Sequence, residues 1–169
     1  MGKGISRRQF LRRAWWGVTG LLAIEMGVGL VASLWPKVKE GSFGTKVSVG
    51  SVDEIRAIPI GTVVYHKEAR FYLSRVGAGF LALYRRCTHL GCVVPWEAND
   101  PSEDDLAALG RLNCPCHGSL FDRYGLVHGG PAPRPLDIFP ISVADGEVFV
   151  DTGKIVERST FDESQVTEV

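Results

Sequence analysis

All four cysteines and two of the four histidines of this 169-residue chain fall in two short segments, Cys87-Thr-His89-Leu-Gly-Cys92 and Cys114-Pro-Cys116-His117-Gly-Ser119. Thiolates and imidazoles are the side chains that suit transition metals, sulfur being the softer ligand. Each segment offers one imidazole, a cysteine two or three residues before it, and one further cysteine. A thiolate and an imidazole from each of two loops make a four-ligand site of mixed sulfur and nitrogen character. A structural zinc site uses the same ligand types, but its usual spacing gathers the cysteines in one arm and the histidines in the other. Here both arms are mixed, which suits a binuclear centre with the thiolates on one metal and the imidazoles on the other. Two plainer readings stay open on the residues alone: a zinc site, and a disulfide framework with incidental histidines, the ordinary meaning of an even cysteine count outside the cytosol.

The two segments resemble the paired boxes of the Rieske iron–sulfur proteins, in which a [2Fe–2S] cluster has two cysteines on one iron and two histidines on the other. That resemblance implies that Cys87 and Cys114 hold one iron and that His89 and His117 hold the other. It also implies a disulfide between Cys92 and Cys116. Cytosolic Rieske ferredoxins and ring-hydroxylating oxygenases share the four ligands and generally lack the two extra cysteines. A disulfide persists in an oxidising compartment, and the branch that carries one oxidises quinols. Closing a loop of about 25 residues contributes roughly 3–4 kcal/mol on the chain-entropy estimate.

Further residues extend the likeness. Leu90, between the box ligands, is an apolar lid, and Gly129-Gly130-Pro131-Ala132-Pro133 resembles the proline loop that covers the cluster. Ser119 matches the serine whose hydroxyl bonds a bridging sulfide. Phe121 stands where high-potential members carry a tyrosine, so one potential-raising hydrogen bond is missing and a reducing donor such as menaquinol is expected. Tyr124 lies nearby, off the matching position, and a shifted loop would be needed to bring its hydroxyl in. His66 and His128 read as surface histidines outside the ligand set.

By resemblance, the function is electron transfer. His117, or else His89, accepts a quinol proton while the cluster accepts an electron. The electron then passes to a c-type cytochrome or a copper protein. A cytochrome b-type partner takes the second electron, in a complex of the bc1 or b6f kind that works as a dimer. The rival readings are a small subunit of another exported oxidoreductase, similar to that of arsenite oxidase, and a non-redox, membrane-tethered module stabilised by zinc or a disulfide.

The remaining chain must position the boxes. Ser6-Arg7-Arg8-Gln9-Phe10-Leu11-Arg12 reads as a twin-arginine export signal, within a cytoplasmic segment 1–13. Residues 14–35 are apolar and long enough to cross a bilayer, with Trp15, Trp16 and Trp35 at the ends, where aromatic rings prefer the interface. The basic residues before the span keep the N-terminus cytoplasmic and send the head to the outer side of a prokaryotic cytoplasmic membrane. No small-residue cleavage site stands out, so the anchor reads as uncleaved. Glu25 sits near mid-span, where a carboxylate is expensive. Pro36 ends the helix, and 36–45 reads as a hinge linker.

The head, 46–157, reads as mostly antiparallel β, with a cluster-binding subdomain at about 85–133 inserted in a β base. Strands are expected at 46–52, 62–66, 70–74, 79–84, 136–143 and 147–151, with hairpin turns at Gly77-Ala78-Gly79 and Asp145-Gly146. A short acidic helix capped by Ser102 is expected over 102–109, inside an insert, 97–111, that reads as a solvated acidic loop. The tail, 158–169, reads as polar and frayed. Nineteen basic and nineteen acidic residues balance, so the chain carries no nucleic-acid footprint.

Overall fold

The computed structural model describes residues 4–35, 41–77 and 79–169. They fall into two compact units, the first within 1–37 and the second within 38–169. The first unit is one helix, α1 (Arg7–Leu34). It begins at the arginine pair, several residues before the apolar span. Ser6 explains the early start: its hydroxyl accepts from the Gln9 amide at 3.3 Å, and Gln9 Oε1 accepts from the Ser6 amide at 3.2 Å. This reciprocal cap satisfies two end groups of the helix. The helix has no buried residue and is long and apolar enough to cross a membrane. The expected stop at Pro36 lies outside the described residues.

Besides a 3-10 turn at Glu163–Gln165, the second unit is built from twelve described strands and one short α-helix. In chain order they are β1 (Lys46–Ser51), α2 (Val52–Arg56), β2 (Val63–His66), β3 (Phe71–Val76), β4 (Gly79–Tyr84), β5 (Trp96–Pro101), β6 (Leu109–Asn113), β7 (Leu120–Phe121), β8 (Val127–Gly129), β9 (Ile138–Phe139), β10 (Ile141–Ala144), β11 (Glu147–Asp151) and β12 (Thr167–Glu168). They form three antiparallel sheets: β1-β11-β10; β12-β4-β3-β2 with β9 also on β4; and β5-β6-β7-β8. The first two are the base, and the third carries the boxes. The expected β base with an inserted subdomain is what forms.

Side chains alternate across a strand, and both faces of β3 and β4 are covered. Tyr72, Val76, Leu81 and Leu83 enter one core, shared with the box-bearing sheet. Phe71, Leu73, Phe80 and Ala82 enter a second core, shared with β1, β9 and β11. The Asp145-Gly146 hairpin forms with both residues at positive φ, 50° and 77°, as a two-residue turn of that type requires.

Several local expectations fail for nonlocal reasons. The strand expected to run through residue 52 stops at Ser51, which caps α2 through a second reciprocal box with Glu54. The strand expected over 136–143 is two strands in different sheets: β9 pairs with β4, β10 pairs with β11, and Pro140 lies between them. No helix forms over 102–109. Ser102 Oγ accepts from the Asp104 amide and Asp104 Oδ1 from the Leu106 amide, so the polar side chains make turns in place of helical bonds. Nor is 97–111 simply a solvated loop, because β5 and β6 form its arms and the Asp104 side chain is 1% exposed.

The linker expected over 36–45 is docked along the part that is described. Phe43 stacks on Tyr84 at 5.6 Å between ring centres, and the Thr152 hydroxyl accepts from the Gly44 amide at 2.9 Å. The tail, too, is packed rather than frayed. Arg158 is buried and donates to the carbonyls of Leu136 and Tyr124, Phe161 and Val166 pack on the first core, and β12 adds to the edge of β4.

Candidate metal centre

The two boxes fold as the same loop. In the first, the Cys87 amide donates to the Cys92 carbonyl at 2.8 Å and the Gly91 amide to the Cys87 carbonyl at 2.8 Å. In the second, the Cys114 amide donates to the Ser119 carbonyl at 2.8 Å and the Gly118 amide to the Cys114 carbonyl at 3.0 Å. Each loop closes five residues after its first cysteine. Each turns through a glycine at positive φ, 75° at Gly91 and 71° at Gly118, where a side chain would strain the backbone.

These loops sort the cysteines. Cys92 and Cys116 form a disulfide with Cα atoms 6.6 Å apart. Cys87 and Cys114 are free thiols, 3% and 2% exposed, in the first core. The Cys114 sulfur lies within 4.8 Å of both disulfide sulfurs. The disulfide sulfurs are already bonded to each other, so the closeness reflects the clamp across the loops. The His89 and His117 rings lie 4.9 Å apart, edge to face. His89 is half-buried, His117 is exposed, and Leu90 is 71% exposed beside them. Two buried thiols thus lie inside and two imidazoles outside, the order that a sulfur-ligated inner iron and a nitrogen-ligated outer iron require.

Burial pushes the Cys87 thiol up, and the neighbouring Cys114 thiol adds to this. Hydrogen bonds from the His89 amide and the Ser119 hydroxyl pull the other way. Burial prevails, so a thiolate at Cys87 would need the positive charge of a metal beside it.

The glycine–proline loop is tied to both boxes. The Ala132 amide donates to the fully buried Ser119 hydroxyl at 3.2 Å, and the Thr88 hydroxyl donates to the Arg134 carbonyl at 2.6 Å. Gly130 makes the approach possible: a Cβ there would lie 2.5 Å from Ser119 Cα.

Residues 44–140 match the Rieske [2Fe-2S] domain family. The chain belongs to that family. The chain is also similar to curated relatives, two of them over most of its length. One is the menaquinol:cytochrome c reductase iron-sulfur subunit of Bacillus subtilis, 33% identical over 162 residues that cover 89% of this chain and 93% of that one. Another is the cytochrome b6-f complex iron-sulfur subunit of Chlorobaculum tepidum, 28% identical over 151 residues that cover 88% and 77%. The Synechococcus elongatus subunit of the same description is 47% identical over a shorter stretch of 64 residues, 38% of this chain and 31% of that one.

The donor set fits the [2Fe–2S] cluster of the family, with both soft ligands buried and both imidazoles at the rim. Around it, Phe121 is 1% exposed in the same core as Cys87 and Cys114 and carries no hydroxyl. Tyr124 does not replace that hydroxyl, because its own is 3.3 Å from Asp105 Oδ1. His66 stacks on Phe71, and burial lowers its pKa. His128 is exposed, as expected of a surface histidine, and its Nε2 is 2.7 Å from the buried Asp122 carboxylate.

A second positioning element escaped the sequence reading. The Arg123 guanidinium is buried against the Trp96 ring and pairs with Asp104 at 2.9 Å. It also donates to the carbonyls of Gly61, Leu109 and Gly110 and to Ser102 Oγ. It ties the exit of the second box to the β5–β6 hairpin and to the base. Its hydrogen-bond partners lie 13 to 62 residues away in sequence, and no spacing rule links them.

Proposed function

We propose that this chain is the quinol-oxidising iron–sulfur subunit of a membrane-bound cytochrome bc complex of the bc1/b6f type, with menaquinol as donor. The carrying observation is the pair of rim imidazoles over two buried thiols and a clamping disulfide, in a chain alike over most of its length to a menaquinol:cytochrome c reductase subunit. We assign Cys87 and Cys114 to the inner iron and His89 and His117 to the outer one. When bound, the cluster supplies a one-electron acceptor.

His117 is the more exposed imidazole and the group we assign to quinol. Its ring nitrogen left free of the metal would accept the hydroxyl proton. Leu90 presents an apolar side chain to the quinone ring. Ser119 and the His89 amide donate toward Cys87 and favour the charged form of the site. One electron and one proton of the quinol leave by this route. The second electron goes to the cytochrome b-type partner and the second proton to solution. Delivery is to a c-type cytochrome or a copper protein.

The lack of a hydroxyl at Phe121 supports the choice of a reducing quinol. Helix α1 serves as the single-pass anchor of a subunit that is not catalytic alone. The arginine pair and the basic flank support twin-arginine export, with residues 1–13 cytoplasmic and the head outside the cytoplasmic membrane. The relatives named above favour this reading over an arsenite-oxidase-like small subunit. The test is electron paramagnetic resonance of the reduced protein, together with menaquinol:cytochrome c activity of the isolated complex. We expect the low-average-g signal of a histidine-ligated [2Fe–2S] cluster, and loss of activity in His117→Ala. A reduced protein without that signal overturns the assignment.

A further inference from the structure

A cavity of about 290 Å³ lies in the head where three segments distant in sequence meet, with no box residue in its lining. Val76 and Gly77 at the end of β3 form one wall, Tyr124 the second, and Phe161 and Val166 of the tail the third. The Tyr124 and Phe161 rings meet edge to face, with their centres 4.9 Å apart. Both rings and Val166 also pack on the first core, which fixes the floor. The tail is held in turn by buried Arg158, which donates to Gln165 Oε1 at 2.9 Å and to the Tyr124 carbonyl.

The rim is acidic. Glu163 and Glu168 line the cavity and are exposed, and the Tyr124 hydroxyl donates to Asp105 Oδ1 at 3.3 Å. No ion pair among the described residues involves Glu163, Glu168 or Asp105. None of the described lining residues is basic. Burial raises the Tyr124 phenol first, and the charges that add to it, on Asp105, Asp104 and Asp122, are all carboxylates. Carbon-rich walls suit the stem of a long cationic side chain. Aromatic rings attract its charged head, and unpaired carboxylates accept its hydrogen bonds.

We propose that this cavity is a docking socket for an arginine or lysine side chain on a basic segment of a partner protein. Its volume is at the low end for small-molecule sites, about 300–1,000 Å³, and suits one anchoring side chain. Charge selects the rest of the occupant. Asp105, between β5 and β6, extends the negative rim beyond Glu163 and Glu168, so the surface matches several basic residues rather than one small cation. The same charge repels the phosphates of lipid and nucleic acid. No box residue takes part, so the proposal goes beyond the quinol reading and does not depend on it.

The experiment titrates acetylated, amidated tri-arginine calorimetrically into the cluster-loaded full chain in neutral detergent, with ethylguanidine as the small cation. Salt is about 0.15 M, where exposed charges farther apart than roughly 8 Å are screened. The test variants are Glu163→Gln with Glu168→Gln, and Phe161→Leu. Glu97→Gln with Asp145→Asn removes the same charge outside the lining. We expect the glutamine pair at 163 and 168 to weaken tri-arginine about 2- to 30-fold, the range of two exposed ion pairs. Phe161→Leu should weaken it about 2- to 5-fold, the range of one exposed cation–π contact, and the control pair should leave it unchanged. The glutamines replace exposed, unpaired carboxylates, so the fold does not depend on them, and an unchanged urea midpoint checks this.

In native membranes, a photo-crosslinking residue at position 163 should join another polypeptide beside an arginine or lysine. Absence of tri-arginine binding, equal weakening in the control pair, ethylguanidine binding as tight as that of tri-arginine, or crosslinks confined to lipid or to segments without a basic residue overturns the proposal.

Discussion

Replacing Ser119 by alanine should lower the reduction potential of the centre and loosen the loop that covers it. The hydroxyl is fully buried and makes two contacts. It donates toward the Cys87 sulfur and accepts from the Ala132 amide at 3.2 Å. The Ser119 carbonyl, which closes the second box on the Cys114 amide, survives the change. Reduction adds negative charge to the cluster and its sulfurs, so a donated hydrogen bond favours the reduced form. A hydrogen bond to a charged group is worth about 1.5–3 kcal/mol, which for one electron corresponds to roughly 65–130 mV. That is an upper range, because water or a repacked donor recovers part of it. Separately, the buried Ala132 amide loses its acceptor, at a cost of about 1–3 kcal/mol. A redox titration followed by circular dichroism or paramagnetic resonance reads the first effect, and urea unfolding reads the second. A cluster-loaded Ser119→Ala protein whose potential stays within about 20 mV of wild type would refute the reasoning, since that shift is only ~0.5 kcal/mol.

Phe121→Tyr should move the potential the other way, upward by up to the same range; redox titration checks it, and a wild type already at the high end of the family range with no rise in the variant would sink the menaquinol assignment. Arg123→Met leaves the Asp104 carboxylate buried without its partner and should destabilise the domain by about 3–5 kcal/mol, whereas pairing it with Asp104→Leu should recover most of that in urea unfolding. The same pair sets an acid response. Burial works to raise the Asp104 carboxyl, but the bonds from Arg123 and the Leu106 amide outweigh it and hold the pKa below the usual value. Its contribution is therefore present above the unfolded carboxyl value of about 3.9 and is lost as pH falls through the lower folded value. Stability measured from pH 6 downward should fall less steeply in the double variant. Replacing Cys92 and Cys116 with serines should cost roughly 3–4 kcal/mol and remove the sensitivity of the unfolding midpoint to dithiothreitol.

The chemistry of the boxes was legible because it is local. Each proposed ligand pair sits in a six-residue loop whose glycine is part of the motif, so the family resemblance rests on local geometry. The Asp145-Gly146 turn and the apolar anchor were legible for the same reason, since backbone conformation and span length are local properties. The insert, the tail and the linker end were misread because their polarity was taken as solvation. Asp104 and Arg158 are charged yet buried, and each has partners distant in sequence, 19 residues off for Asp104 and 22 and 34 for Arg158. Phe43 lies in a glycine-flanked segment that looks free until Tyr84 and Phe139 form a surface for it.

The sequence by itself thus determined the two cysteine–histidine boxes, the absent hydroxyl at Phe121 and the membrane-length helix, and its resemblance to a family implied the Cys92–Cys116 pair. Only the tertiary structure decided which thiols stay free and buried, where the hydroxyls of Ser119 and Tyr124 go, and which charges are taken out of water. The physical reason is that ligand identity and turn conformation are set within a few residues, whereas burial and hydrogen-bond partnership exist only once distant segments have packed.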